Sequence, residues 1–238
     1  MTSSLSNSFW ICGGILGGKT TISSMLQEKY GLFVYHADEY QIEHGQRADE
    51  AAHPELFELG KNIKQGKSYA EILYSFSLRP KEEIHAKSLR FHQEHFSMTL
   101  LDVRKICESG KKVLVDGVFL PSDMEGKIGK SNAVFLITTD ERLSDLHARR
   151  QAAPEKITAQ IQKDIKDFKE NRAEDALQAE KNMSAHAAWL TKLVHSEAQE
   201  KGYSIITNDR NSTIESLLKA VEGFAQIWIA AESHDTKS

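Results

Sequence analysis

The sequence predicts an α/β protein built on a parallel sheet with helices over both faces. Three observations lead there. Five short β-prone runs are spread along the chain, helix-length stretches separate them, and a glycine-rich turn follows the first run directly. Parallel strands need crossovers of a dozen or more residues, and helices are the usual crossover. Strands buried on both faces read as short, continuous apolar runs, which is the form these five take.

The first run is Phe9, Trp10, Ile11 and Cys12, bounded by glycine. LFVYHAD (32–38) is the second and ends in an acid, KKVLVDGVF (111–119) the third, NAVFLITT (132–139) the fourth and YSIITND (203–209) the fifth. Between them the apolar residues recur at helical spacing. Ile22, Met25 and Leu26 mark a helix stopped by Gly31. Phe96, Leu100, Val103 and Cys107 mark one closed by Gly110, and Leu190, Leu193, Val194 and Ala198 one closed by Gly202. A last helix is expected to open on Ser212-Thr-Ile-Glu215, a capping-box pattern, with Ile214, Leu217, Leu218, Val221, Ala225 and Trp228 as its apolar stripe. Two regions exceed a minimal alternating fold. Residues 41–90 are rich in His, Arg and Glu and carry the breaks HPEL and LRPK, and residues 154–201 run without Gly, and without Pro after Pro154, too long for one ordinary helix.

The bulk composition narrows the functional classes. A chain of 238 residues with four prolines and no Gly/Ser-rich linker reads as a single domain, 1–238. The net charge of −4 gives no support for a nucleic-acid binder, which presents a basic face. The two cysteines, Cys12 and Cys107, fall inside core elements and read as buried thiols rather than a disulfide. No apolar run reaches membrane-spanning length, and MTSSLSNS lacks the pattern of a secretory signal, so a soluble cytoplasmic protein is expected. His85, His92 and His95 have helical rather than zinc-finger spacing, and no cysteine pairs accompany them.

The chemistry is concentrated in GGILGGKTTISSML, residues 13–26. It fits G-x-x-x-x-G-K-[ST], with Gly13, Gly18, Lys19 and Thr20 at the fixed positions. Such a loop curls so that successive backbone N–H groups point at an anion, the lysine reaches the β/γ-phosphates, and the threonine hydroxyl meets Mg²⁺. The following helix turns its positive end toward the same anion. Gly13, Gly14, Ile15, Leu16, Gly17, Gly18, Lys19, Thr20 and Thr21 are therefore the expected phosphate-binding residues.

This loop after strand 1, an acid ending strand 2 (Asp38), an acid ending strand 3 (Asp116) and an arginine-rich segment after strand 4 (ERLSDLHARRQ) together resemble the nucleoside-monophosphate-kinase-like branch of the P-loop kinases, with shikimate and gluconate kinases, chloramphenicol phosphotransferase and the zeta toxins. The resemblance covers most of the chain outside 41–95. It implies a three-layer P-loop NTPase fold with strand order 2-3-1-4-5, an acceptor-side helical insertion over 41–95, a lid-like helical region over 142–185, and ATP with Mg²⁺ as cofactors. YHADEYQIEHGQRADEAAHP (35–54) also looks like segments of P-loop proteins with no assigned substrate.

Individual residues take roles on that basis. Asp38 stands at the ligand-facing edge, where a carboxylate accepts or aligns the acceptor's proton, and Glu39 takes its place if the strand ends one residue later. Asp116, in VLVDG, has the form of a Walker B acid and joins Thr20 as a metal-site residue. The resemblance places arginines after strand 4 against base and phosphates. Arg149 and Arg150 are the candidates, Arg142 reads as a solvated face and Arg172 is a more distant addition. His44, Arg47, His53 and Arg79, with Lys81 beside them, are the candidate acceptor-binding residues.

The expected activity is transfer of the γ-phosphoryl group of MgATP to a hydroxyl or phosphate on a small-molecule acceptor that spacing does not identify. The competing class is a P-loop ATPase or nucleotide-dependent switch. A nucleotide-binding module without catalysis is the third, and would leave Asp38 and Asp116 idle.

Overall fold

The computed structural model describes residues 5–152 and 159–230, with side chains left undescribed at 147–152, 159–161, 227 and 230. Five strands form one parallel sheet in the order β2-β3-β1-β4-β5. They are β1 (Ser8–Gly13), β2 (Phe33–His36), β3 (Val113–Asp116), β4 (Ala133–Thr138) and β5 (Ser204–Asn208). Each lies inside the run predicted for it or within one residue of it, and the strand order is the expected one. Four of the five strands are mostly apolar, β5 carrying only Ile205 and Ile206, and four of the five close on a polar residue at one edge of the sheet: His36, Asp116, Thr138 and Asn208, with Gly13 ending the fifth.

Helices account for the rest: α1 (Lys19–Tyr30), α2 (Gln41–Arg47), α3 (Pro54–Lys64), α4 (Tyr69–Ser77), α5 (Lys81–Glu108), α6 (Pro121–Met124), α7 (Asp140–Ala152), α8 (Ala159–Asn171), α9 (Ala173–Glu200) and α10 (Ile214–Ala230). Both Pro breaks sit where proline is tolerated: Pro54 is the first residue of α3, and Pro80 precedes α5. The Gly-free stretch over 154–201 contains two helices, separated at Arg172.

Backbone packing divides the chain into two compact units. The first comprises 1–38, 96–143 and 191–238, and the second 39–95 and 144–190. In the first unit, alternation along β1 sorts the core. Phe9 and Ile11 join Ile22 and Leu26 of α1 and Leu217, Val221, Ala225 and Trp228 of α10 on one face of the sheet. Trp10 turns to the other face, against Phe96 of α5 (5.8 Å between ring centroids) and Phe119 (5.4 Å). The result is helix, sheet, helix: three layers. In the second unit, Ala70 and Tyr74 of α4 pack on Phe168 of α8 and on Ala176 and Ala179 of α9.

Two details of α10 depart from expectation. Its capping box is Thr213/Ser216, not Ser212/Glu215: the Ser216 N–H donates to Thr213 Oγ1 (3.1 Å) and the Thr213 N–H to Ser216 Oγ (3.0 Å). The Ser212 hydroxyl is turned to the preceding turn, where it accepts the Asp209 N–H (3.0 Å) and donates to Asp209 Oδ1 (2.9 Å). The helix therefore starts later, and Ile214, its first residue, is exposed instead of buried. Both cysteines are free and buried, as expected.

Candidate phosphate-binding site

The loop between β1 and α1 is held tight against the sheet by its glycines. Gly13 has φ +138°, and a Cβ there would lie 2.0 Å from the Leu136 carbonyl oxygen of β4. At Gly14 a Cβ would lie 2.3 Å from Thr191 Oγ1 of α9. Leu16 is the only non-glycine residue with positive φ (60°) among the described residues, a conformation that costs an L-residue roughly 1–2 kcal/mol. Asn208, closing β5 and almost fully buried, donates from Nδ2 to the Gly17 carbonyl (3.3 Å). The loop is thus clamped from β4, β5 and α9.

From Ile15 to Gly18 the chain donates no backbone hydrogen bond among the described residues, and the first N–H groups of α1 have no helical acceptor by geometry. A run of unpaired N–H groups at a helix N-terminus is a preformed anion site. Lys19, buried, folds back so that Nζ donates to the Gly14 carbonyl (2.7 Å). Burial pulls the Lys19 ammonium below its ordinary pKa, while Asp38, Asp116 and Cys12 pull the other way. Burial pushes the Cys12 thiol far up, so it stays neutral beside the loop. Thr20 is exposed and Thr21 half-buried, on the first turn of α1.

Asp116 is buried at the end of β3 and is bonded from two sides. His36 Nδ1 lies 2.7 Å from Asp116 Oδ2, and the Ser23 hydroxyl donates to the same oxygen. Asp38 lies in a single 3-10 turn, Ala37–Tyr40, that continues β2, and its side chain is exposed, as is that of Glu39. Sequence reasoning had no role for His36, Ser23, Thr191 or Asn208; only the strand register and the return of α9 bring them to the loop.

The sheet order and the glycine-rich loop after β1 make this a three-layer α/β fold of the P-loop kind. No protein-family model and no curated protein matches the sequence. Among solved structures, the chain is similar to a dephospho-CoA kinase from Campylobacter jejuni, at 16% identity and a TM-score of 0.45, over 94% of this chain and 98% of that one. No helix among the described residues is long and apolar enough to cross a membrane.

Of the other residues singled out, Arg142 is half-buried in the first turn of α7, its Nε meeting no acceptor among the described residues. Arg149 and Arg150 fall on α7, but their side chains lie outside the described residues. His44, Arg47, His53 and Arg79 all belong to the second unit. His44 is fully buried, its Nδ1 2.9 Å from His95 Nδ1. Arg47 is exposed and pairs with Glu43 (3.4 Å), and His53 is half-buried at the start of α3. Arg79 pairs with Glu83 and with Glu58 (3.4 Å) and lines a cavity of about 270 Å³ whose wall also carries Lys87, Glu55, Phe76 and Phe91. Arg172 lies over the Phe168 ring (5.7 Å) and Lys81 is exposed at the start of α5.

The residues present fit Mg²⁺. The donors at the site are oxygens, the kind a hard cation takes: the exposed Thr20 hydroxyl and a buried Asp116 carboxylate whose Oδ1 receives no hydrogen bond among the described residues.

Proposed function

We propose that the protein is an ATP-dependent phosphotransferase acting on a small-molecule acceptor. One observation carries the reading: a glycine-clamped loop whose N–H groups from Ile15 to Gly18 make no backbone hydrogen bond among the described residues runs into a helix whose first residue is a buried lysine. In this reading the backbone of 14–20 holds the β- and γ-phosphates. Lys19 moves its ammonium from the Gly14 carbonyl to a phosphate oxygen, exchanging a neutral acceptor for an anionic one. Thr20 and Asp116 would hold Mg²⁺, which would supply charge neutralisation for phosphoryl transfer. Asp38 accepts or aligns the proton of the attacking hydroxyl, and its side chain is exposed just beyond the end of β2. A groove of about 230 Å³ beyond β4 and β5, lined by Thr138, Thr139, Asp140, Thr191, Lys192 and His195, takes the nucleoside end. From the resemblance, Arg149 or Arg150 is assigned to phosphate and Arg79 to acceptor recognition.

The reading descends from the nucleoside-monophosphate-kinase-like resemblance and does not name the acceptor. Its test is calorimetric titration of ATP with MgCl₂ into the wild type and Lys19→Ala, followed by ATP consumption with and without a pooled metabolite library. Binding that Lys19→Ala abolishes, and consumption that the pool stimulates, support the phosphotransferase. Consumption indifferent to every metabolite and to Asp38→Asn supports an ATPase or switch instead.

A further inference from the structure

Asp116 is held in an arrangement that gives a role to a histidine outside the motif, and the inference rests on the phosphotransferase reading above. His36 and Asp116 are register partners at the ends of β2 and β3, so their side chains leave adjacent parallel strands on the same side. His36 Nδ1 sits 2.7 Å from Asp116 Oδ2. Ser23, one turn into α1, donates its hydroxyl to the same atom. Two donors from two elements therefore converge on one oxygen, while among the described residues none reaches Oδ1. A carboxylate oxygen has about two lone-pair sites, so Oδ2 is filled and Oδ1 is the oxygen left for a ligand.

We propose that His36 is a positioning residue for a divalent cation. With Ser23 it fixes the rotation of the Asp116 carboxylate, so that Oδ1 alone faces the cation held with the nucleotide. His36 is not itself a ligand: the nitrogen facing Asp116 carries the proton that it shares with Oδ2. Outer partners of this kind orient a ligating carboxylate and change metal affinity without touching the metal. The oxygen-only donor set selects a hard cation, Mg²⁺ or Mn²⁺, over zinc.

The test uses Mn²⁺ as the probe, with a non-hydrolysable ATP analogue, on the full chain. Bound Mn²⁺ is read by electron paramagnetic resonance, and analogue affinity is read separately in EDTA. His36→Leu, similar in bulk without a donor, is expected to weaken Mn²⁺ about tenfold or more. Its affinity for the analogue in EDTA stays within twofold of wild type. His36→Asn, whose Nδ2 can occupy the place of the imidazole Nδ1, restores Mn²⁺ affinity to within threefold. If His36→Leu does not fold, His36→Ala carries the same expectation. Wild-type Mn²⁺ affinity in His36→Leu, or an equal loss of analogue binding in EDTA, overturns the positioning role while leaving the phosphotransferase reading intact. A wild type that binds neither analogue nor Mn²⁺ overturns both.

Discussion

Gly14→Ala tests whether the loop is braced by α9. The added Cβ would lie 2.3 Å from Thr191 Oγ1, 2.9 Å from Cγ2 and 3.0 Å from Cβ. The first two contacts cannot persist, so either α9 or the loop must shift. Overpacking of this kind costs roughly 1–3 kcal/mol. For a chain of this size that lowers Tm by roughly 2–12 °C, at about 2–4 °C per kcal/mol. Because the displaced backbone is the phosphate cradle, nucleotide affinity falls with stability. The assay is a double-mutant cycle with Thr191→Ala, which removes Oγ1 and Cγ2 and leaves only the 3.0 Å contact. Residues in direct contact couple by about 0.5–3 kcal/mol, so the double variant is expected to recover a large part of both losses. Strict additivity in melting and in ATP binding would refute the bracing contact. A Gly14→Ala protein with wild-type Tm would do so more simply.

Other predictions follow from the same geometry. Asp38→Asn is expected to lower kcat by roughly 10²–10⁴ with nucleotide affinity unchanged, since the exposed carboxylate handles a proton rather than phosphate; a weaker Kd for ATP with intact kcat would contradict that role. In the second unit, burial, with His85 adding to it, pushes the His186 imidazole down to about 4. A folded pKa below the unfolded value means the unfolded chain binds the extra proton. Stability is therefore fully present above about pH 6.5 and is lost as pH falls toward 4. Allowing for the partial exposure of His186, the loss amounts to about 1–2 kcal/mol. Thermal melts at pH 7.5 and pH 5 should show a smaller drop in His186→Gln than in wild type, and equal drops would remove His186 as the cause.

The sheet was legible because its signals are local. The apolar run ending in Asp116, and the glycines at 31, 110 and 202, mark element ends without any knowledge of packing, whereas β2 stops at His36 and leaves Asp38 in the 3-10 turn beyond it. The phosphate loop was legible for the same reason: Gly18-Lys19-Thr20 act through backbone geometry within one turn. What surrounds the loop was not. His36 looks like any polar residue at a strand end until the β2–β3 register sets it beside Asp116. Ser23 reads as helix surface, yet it is fully buried against the same carboxylate. Thr191 and Asn208 reach the loop only after the chain has passed through α9 and β5. His44 shows the converse. A histidine in a polar segment reads as available for recognition, but helix periodicity on a short element did not reveal that it turns inward against His95. Ser212 failed as a cap for a similar reason, because its Oγ is turned back to accept the Asp209 N–H.

The measurement that bears most directly on phosphoryl transfer follows the label from ATP radiolabelled in its γ-phosphate, incubated with MgCl₂, the protein and a small-molecule extract. The account predicts that wild type moves label into an organic product, that Lys19→Ala moves none, and that Asp38→Asn moves far less. Label appearing only as inorganic phosphate, at the same rate with and without extract and in Asp38→Asn, would contradict it.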